Sequence, residues 1–162
     1  MKPIFRRALA VLVAAFLLIQ FMPAARTNPP VKGPLTAPPQ VLDVLERACF
    51  DCHSNETAWP WYTRLAPFSW LAVRDVEEGR EELNFSNWAL LDPGKAEELR
   101  EECWEEVAEG EMPLWFYEPL HPHARLTDAD REVLRQWAGA GKVSARSDLE
   151  DDDDDDDDED DD

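Results

Sequence analysis

Residues 48–62 read ACFDCHSNETAWPWY and place two cysteines and a histidine inside five positions. No other stretch constrains the fold as tightly. Two thiols separated by two residues at a helix end, followed at once by an imidazole, must be offered together at one surface. Cys49-Phe50-Asp51-Cys52-His53 is Cys-x-x-Cys-His, the attachment pattern of c-type haem. At a helix end, Cys49 and Cys52 reach the two vinyl groups of one porphyrin edge and form thioethers, and His53 sits beneath the iron as its proximal ligand. Two other chemistries use such a pair. A thioredoxin-like dithiol opens a helix after a strand, whereas here a helix is expected before the pair. A zinc site would need Cys49, Cys52 and two more ligands, such as His121 and His123. Haem is the preferred reading.

The surrounding pattern is helical. Val41, Leu42, Leu45 and Ala48 recur at spacings of three and four, which predicts a helix that opens after Pro38-Pro39 and runs into Cys49. A second helix is expected within Pro67 to Leu83, with Trp70, Leu71, Val73 and Val76 as its apolar positions. A third runs from Pro93 to Ala108 through Ala96, Leu99, Cys103 and Val107, with Gly110 closing it. The fourth begins at Thr127, which caps it. Asp128 and Asp130 suit its first turn, and Val133, Leu134, Trp137 and Ala138 form its buried stripe. Alternating strand patterns are not evident. The expected fold is all-α, a small cytochrome c-like helical domain over residues 40–143.

The flanks differ in kind. Residues 1–25 hold Lys2, Arg6 and Arg7 ahead of an apolar run from Ala8 to Met22. Fifteen helical residues span about 22 Å, short of the roughly 30 Å hydrocarbon core, which suits a signal peptide. A signal peptidase wants small residues one and three positions before the cut, and cuts after Ala24 or Ala25 put Met22 or Pro23 at the third. An uncleaved anchor reaching Ala25 is therefore the favoured alternative. In either case the basic flank stays in the cytoplasm and the remainder is exported, to the periplasmic face of the membrane or the periplasm. Residues 26–39 carry five prolines and a glycine, the composition of a semi-rigid spacer.

At the other end, residues 144–162 include an unbroken acidic run from Glu150 to Asp162, expected to be disordered and solvated. It accounts for 13 of the 36 acids and for most of the formal charge of −20. The rest of the chain is only moderately acidic, with 23 acids against 16 Lys and Arg. That balance argues against nucleic acid, whose phosphates need a basic face. It favours a basic protein partner.

If Cys49, Cys52 and His53 hold haem, the iron's other face needs an occupant. Met112 is the one methionine beyond the N-terminal segment, in AEGEMPLWFYEPLHPHARL, a loop between two helices with Gly110 and Pro113 beside it. It is the expected distal ligand, with His121 or His123 as alternatives. A methionine and histidine pair raises the reduction potential and favours electron transfer over gas binding. Trp59, Trp61, Tyr62, Trp70 and Trp88 are expected mainly in the core, some against the porphyrin. Arg64 and Arg74 could pair with propionates, though no spacing selects either. Cys103 is read as a shielded thiol on a helix face.

The chain resembles a known family, the small haem-binding domain proteins of bacteria, which are exported c-type haem proteins. The likeness lies in NPPV at 28–31, CFDCHSNETAWPWYTRLAPFSWL at 49–71, DVEEGREELNFSNW at 75–88 and GEMPLWFYEPLHPHARLTDADREVLRQW at 110–137. It implies one covalent haem c at Cys49 and Cys52 with His53 as iron ligand, and supports Met112 by position. Neither Cys103 nor the acidic run belongs to that pattern. The expected function is a monohaem electron carrier, membrane-tethered or periplasmic, serving redox partner proteins. Its alternative is a haem-based sensor or peroxidase-like enzyme with a displaceable distal ligand. Electron transfer is preferred over catalysis because no distal acid/base set and no output domain are evident.

Overall fold

The computed structural model describes residues 3–139. Among the described residues six α-helices follow one another, α1 (Pro3–Ile19), α2 (Pro39–Ala48), α3 (Phe50–His53), α4 (Phe68–Glu82), α5 (Pro93–Glu109) and α6 (Asp128–Ala138), with short 3-10 turns at Trp61–Arg64, Phe85–Leu90 and Pro122–Ala124. Strands are absent among the described residues, so the all-helical expectation holds. Two compact units are formed, residues 3–36 with 49–90, and residues 37–48 with 91–139. The acidic run and residues 140–143, expected to close the domain, lie outside the described residues.

The second unit packs α6 against α5 and α2. Leu45 and Leu134 are essentially inaccessible, and Val41, Val44, Val107 and Ala138 are buried. Each of these leucine and valine side chains contributes about 1.5–3 kcal/mol when withdrawn from water. Val44 takes the buried place expected of Leu42, which stays half-buried. Helix ends follow the expected chemistry. Thr127 accepts from the Asp130 amide while the Asp130 carboxylate accepts from Thr127 N–H, a complete capping box. Gly110 closes α5 with φ of 81°, a left-handed conformation that favours glycine. Arg47 on α2 reaches Asp130 at 2.5 Å and donates to the His123 carbonyl at 2.8 Å, and Arg131 donates to the Val107 carbonyl.

In the first unit, α3 and the Trp61–Arg64 turn pack on α4. Val73 and Val76 are buried as expected, but Leu71 is exposed and Trp70 half-buried. Phe85 is inaccessible, stacked between Phe50 at 5.2 Å and Trp88 at 5.8 Å.

Residues 26–36 of the stretch expected to be a spacer are instead built into this unit. Lys32 and Gly33 amides donate to the Ser86 carbonyl, Leu35 N–H to the Phe85 carbonyl, and Ala89 N–H to the Gly33 carbonyl. Leu35 is buried. Prolines stiffen this segment, and the amides of Lys32, Gly33 and Leu35 find partners in the backbone of Phe85 and Ser86, a pairing that leaves no periodic trace in the sequence.

α1 ends at Ile19 after 17 residues, and residues 20–25 continue the chain outside the helix. No helix among the described residues is long and apolar enough to cross a membrane. Its apolar side chains, Ile4, Leu9, Val11, Leu12 and Phe16 among them, are exposed. At its base Gln20 exchanges two hydrogen bonds with Ala66, accepting from its amide at 3.0 Å and donating to its carbonyl at 3.2 Å.

Candidate functional site

The Cys-x-x-Cys-His stretch occupies a helical turn of its own. α2 stops at Ala48, Cys49 takes φ −126° and ψ −33° ahead of the new turn, and α3 then runs from Phe50 to His53. The pair therefore opens α3 and does not extend α2. His53 N–H donates to the Cys49 carbonyl at 2.9 Å, which closes the turn. Phe50, between the cysteines, anchors it by stacking on Phe85. Ser54 Oγ donates to the Phe50 carbonyl at 2.7 Å and accepts from Glu56 N–H at 2.9 Å. Thr57 Oγ1 donates to the Asp51 carbonyl, and the Asp51 carboxylate accepts from Ala58 N–H, both at 2.8 Å. Small polar side chains just past a helical turn thus satisfy the backbone groups it leaves open.

α4 forms the seat. Gly79 lies so close to the motif that a Cβ there would be 3.0 Å from the Cys52 carbonyl oxygen and 3.2 Å from its Cβ. His53 Nδ1 lies 2.8 Å from the Gly79 carbonyl and 3.2 Å from the Leu83 carbonyl. Carbonyls only accept, so Nδ1 bears the proton and the Nε2 lone pair is left for another use. Burial lowers the His53 pKa below its ordinary value, while the Leu83 and Gly79 carbonyls oppose that shift. Burial, reinforced by Asp51 and Asp75 and opposed by Arg80, pushes the Cys52 thiol up to about 12. The site thus offers a neutral thiol and a neutral imidazole of defined tautomer.

Arg80, one residue beyond Gly79, binds the loop that follows His53. Its Nε donates to the Ser54 carbonyl at 2.7 Å and its Nη2 to Thr57 Oγ1 at 2.8 Å. Asn55 and Asn84 extend the network to Pro30 and Ser86.

These residues fit a haem. Cys49, Cys52 and Cys103 are not joined in a disulfide. An axial histidine whose Nδ1–H is held by backbone carbonyls has its ring fixed and its Nε2 made a better donor. In the same unit Trp61, Leu65, Phe68 and Leu71 present exposed apolar surface. Zinc gains no support, because no group of three or more His, Cys, Asp and Glu is gathered among the described residues.

The structure brings Cys49, Cys52 and His53 together in the first unit. Met112, His121 and His123 lie in the second. Met112 is half-buried just past the left-handed Gly110, with its amide donating to the Glu106 carbonyl at 3.1 Å. His121 is buried and stacked on Tyr117 at 3.7 Å, with Nδ1 3.0 Å from the Tyr117 carbonyl. His123 is exposed. Of the tryptophans, Trp88 is buried and Trp61 exposed, while the Trp59 and Trp70 ring N–H groups donate to Asn28 Oδ1 and the Met22 carbonyl. Arg74 pairs with Glu78 at 2.7 Å, and Arg64 is exposed.

Sequence reasoning passed over Gly79, Arg80, Ser54 and Thr57. One sign was legible, a lone glycine inside the helical stretch DVEEGREEL, since such a glycine often marks a close approach. The partners of Arg80 leave no such mark.

The family model described as haem-binding domain matches residues 14–140. Neither the curated proteins nor the solved structures yield a match.

Proposed function

Because the chain belongs to the haem-binding domain family, we propose that its haem is of the c type, one per chain, and that the protein is an exported electron carrier. Cys49 and Cys52 would hold the haem through thioethers, and His53 Nε2 would ligate its iron. The observation that supports this most is the pair of contacts from His53 Nδ1 to the Gly79 and Leu83 carbonyls. They hold the ring, keep the proton on Nδ1 and leave Nε2 to ligate iron. When bound, the haem supplies a one-electron iron couple. The chain's part is to fix its own ligands so that they move little between the two oxidation states.

Met112 is the proposed second axial ligand, its thioether favouring the reduced iron and closing the site to outside molecules. The N-terminal segment would tether the protein to the periplasmic face of the cytoplasmic membrane. Arg6, Arg7 and the exposed apolar side chains of α1 support that placement. Redox partner proteins would receive or supply the electron.

Carbon monoxide binding separates a carrier from a sensor or a peroxidase-like enzyme. The reduced wild type should bind it poorly, the oxidised protein should show the weak red band of iron–methionine bonding, and Met112→Ala should reverse both. Ready binding in the wild type, unchanged in the variant, would replace the carrier reading. A low-spin spectrum without the red band, lost on substitution of His121 or His123, would replace Met112 with histidine.

A further inference from the structure

We infer that Arg80 is a positioning residue for the iron ligand, gripping the backbone beside His53 while the same turn of α4 grips its ring. This rests on the reading of His53 as a haem ligand and names what holds that ligand in place.

Four contacts make the grip. Arg80 Nε donates to the carbonyl of Ser54, the residue next to His53, at 2.7 Å. Nη2 donates to Thr57 Oγ1 at 2.8 Å and to Asn28 Oδ1 at 3.3 Å, and Nη1 to the Thr27 carbonyl at 3.0 Å. Asn28 Nδ2 closes the ring of contacts by donating to the Thr57 carbonyl at 3.0 Å. The carbonyls of Gly79, beside Arg80 in α4, and of Leu83, the residue just past that helix, accept from His53. One helix end therefore fixes the imidazole through its carbonyls and the following loop through one side chain. If the loop moved away, His53 would follow and its Nδ1–H would lose both acceptors.

A planar fork can serve four acceptors spread over two stretches of chain, residues 27–28 and the loop after His53. Lysine keeps the charge but gathers its donors on a single nitrogen. That difference separates a positioning role from the mere presence of a positive charge near the site.

The test uses the full-length, haem-loaded protein and follows the His53 Nδ1–H by paramagnetic NMR through its exchange with solvent. Both Arg80→Lys and Arg80→Gln should speed that exchange about tenfold or more, as expected when a charged hydrogen-bond donor is withdrawn. Unchanged exchange in both, or a change confined to Arg80→Gln, would overturn the inference. Thr57→Val removes one of the four acceptors, together with the bond from Thr57 Oγ1 to the Asp51 carbonyl, and should give a smaller acceleration. It decides the matter should the Arg80 variants fail to accumulate, since unchanged exchange in folded Thr57→Val would overturn the inference equally. A wild type whose haem iron shows no bond to His53 would overturn the underlying reading, and is seen before any variant is made.

Discussion

Gly79→Ala tests the seat of the motif. A glycine inside a helix costs about 0.5–1 kcal/mol relative to alanine, so in open space the substitution would stabilise α4 by that amount. The space is not open. An added Cβ would lie 3.0 Å from the Cys52 carbonyl oxygen, 3.2 Å from Cys52 Cβ and 3.3 Å from its carbonyl carbon. The first and third are backbone atoms of a turn closed by Cys52 N–H and His53 N–H on the Cys49 carbonyl, so they cannot yield separately. α4 must step back from α3, and the 2.8 Å contact from His53 to the Gly79 carbonyl lengthens. Overpacking costs about 1–3 kcal/mol, and a weakened hydrogen bond about 0.5–1.5 kcal/mol. After the helix gain is subtracted, a net loss of roughly 0.5–4 kcal/mol remains. With a urea slope of about 2 kcal/mol/M, the unfolding midpoint should fall by about 0.25–2 M. Gly94→Ala is the control, because a Cβ there meets only Asp92 Oδ1, at an ordinary 3.5 Å. Urea unfolding of the haem-loaded variants by circular dichroism makes the comparison. A midpoint raised by Gly79→Ala as much as by Gly94→Ala would refute the close-packing argument.

Two further outcomes are expected. Burial alone would raise the Asp130 carboxyl, but hydrogen bonds from Arg47 and Thr127 outweigh it and hold the pKa below 3.8. The stability this brings is present above about pH 4 and lost as the pH falls through the lower folded value, so Asp130→Asn should flatten that acid limb in pH-dependent unfolding and cost about 1–2 kcal/mol at pH 7. Burial, with Glu106 beside it, pushes the Cys103 thiol up to about 12, so iodoacetamide at pH 8 should label the native protein at least about tenfold more slowly than the urea-unfolded one. In the unfolded, haem-loaded protein one of the three cysteines should react, and Cys103→Ser should abolish that label while leaving the haem in place.

The helices were legible where local chemistry and packing agree. Thr127 with Asp128 and Asp130 announced the start of α6, Gly110 announced the end of α5, and apolar spacing placed Val41, Leu45, Leu99 and Leu134 in the core. Cys49, Cys52 and His53 were legible as a candidate set because their spacing is itself the signal. What holds them was not. The carbonyls of Gly79 and Leu83 have no side-chain identity to read, and Arg80 acts through acceptors 23 to 53 positions away in the chain. The docking of residues 26–36 was misread for a related reason. Proline content reports stiffness, whereas Leu35 N–H and Gly33 N–H are satisfied by backbone that no composition reveals. Likewise the apolar run after Arg7 does not reveal where α1 ends, and Gln20 is tied to Ala66 soon after that end.

The central claim is that Cys49 and Cys52 hold the haem covalently, and acidic acetone tests it most directly. Full-length protein produced in cells able to attach haem c is denatured and extracted, and the pellet and solvent are compared. The account predicts that the colour stays with the protein, that the intact mass of the denatured chain exceeds the apoprotein by one haem, and that Cys49→Ser or Cys52→Ser weakens or abolishes this retention. Colour that leaves with the solvent, with a chain at apoprotein mass, would contradict it.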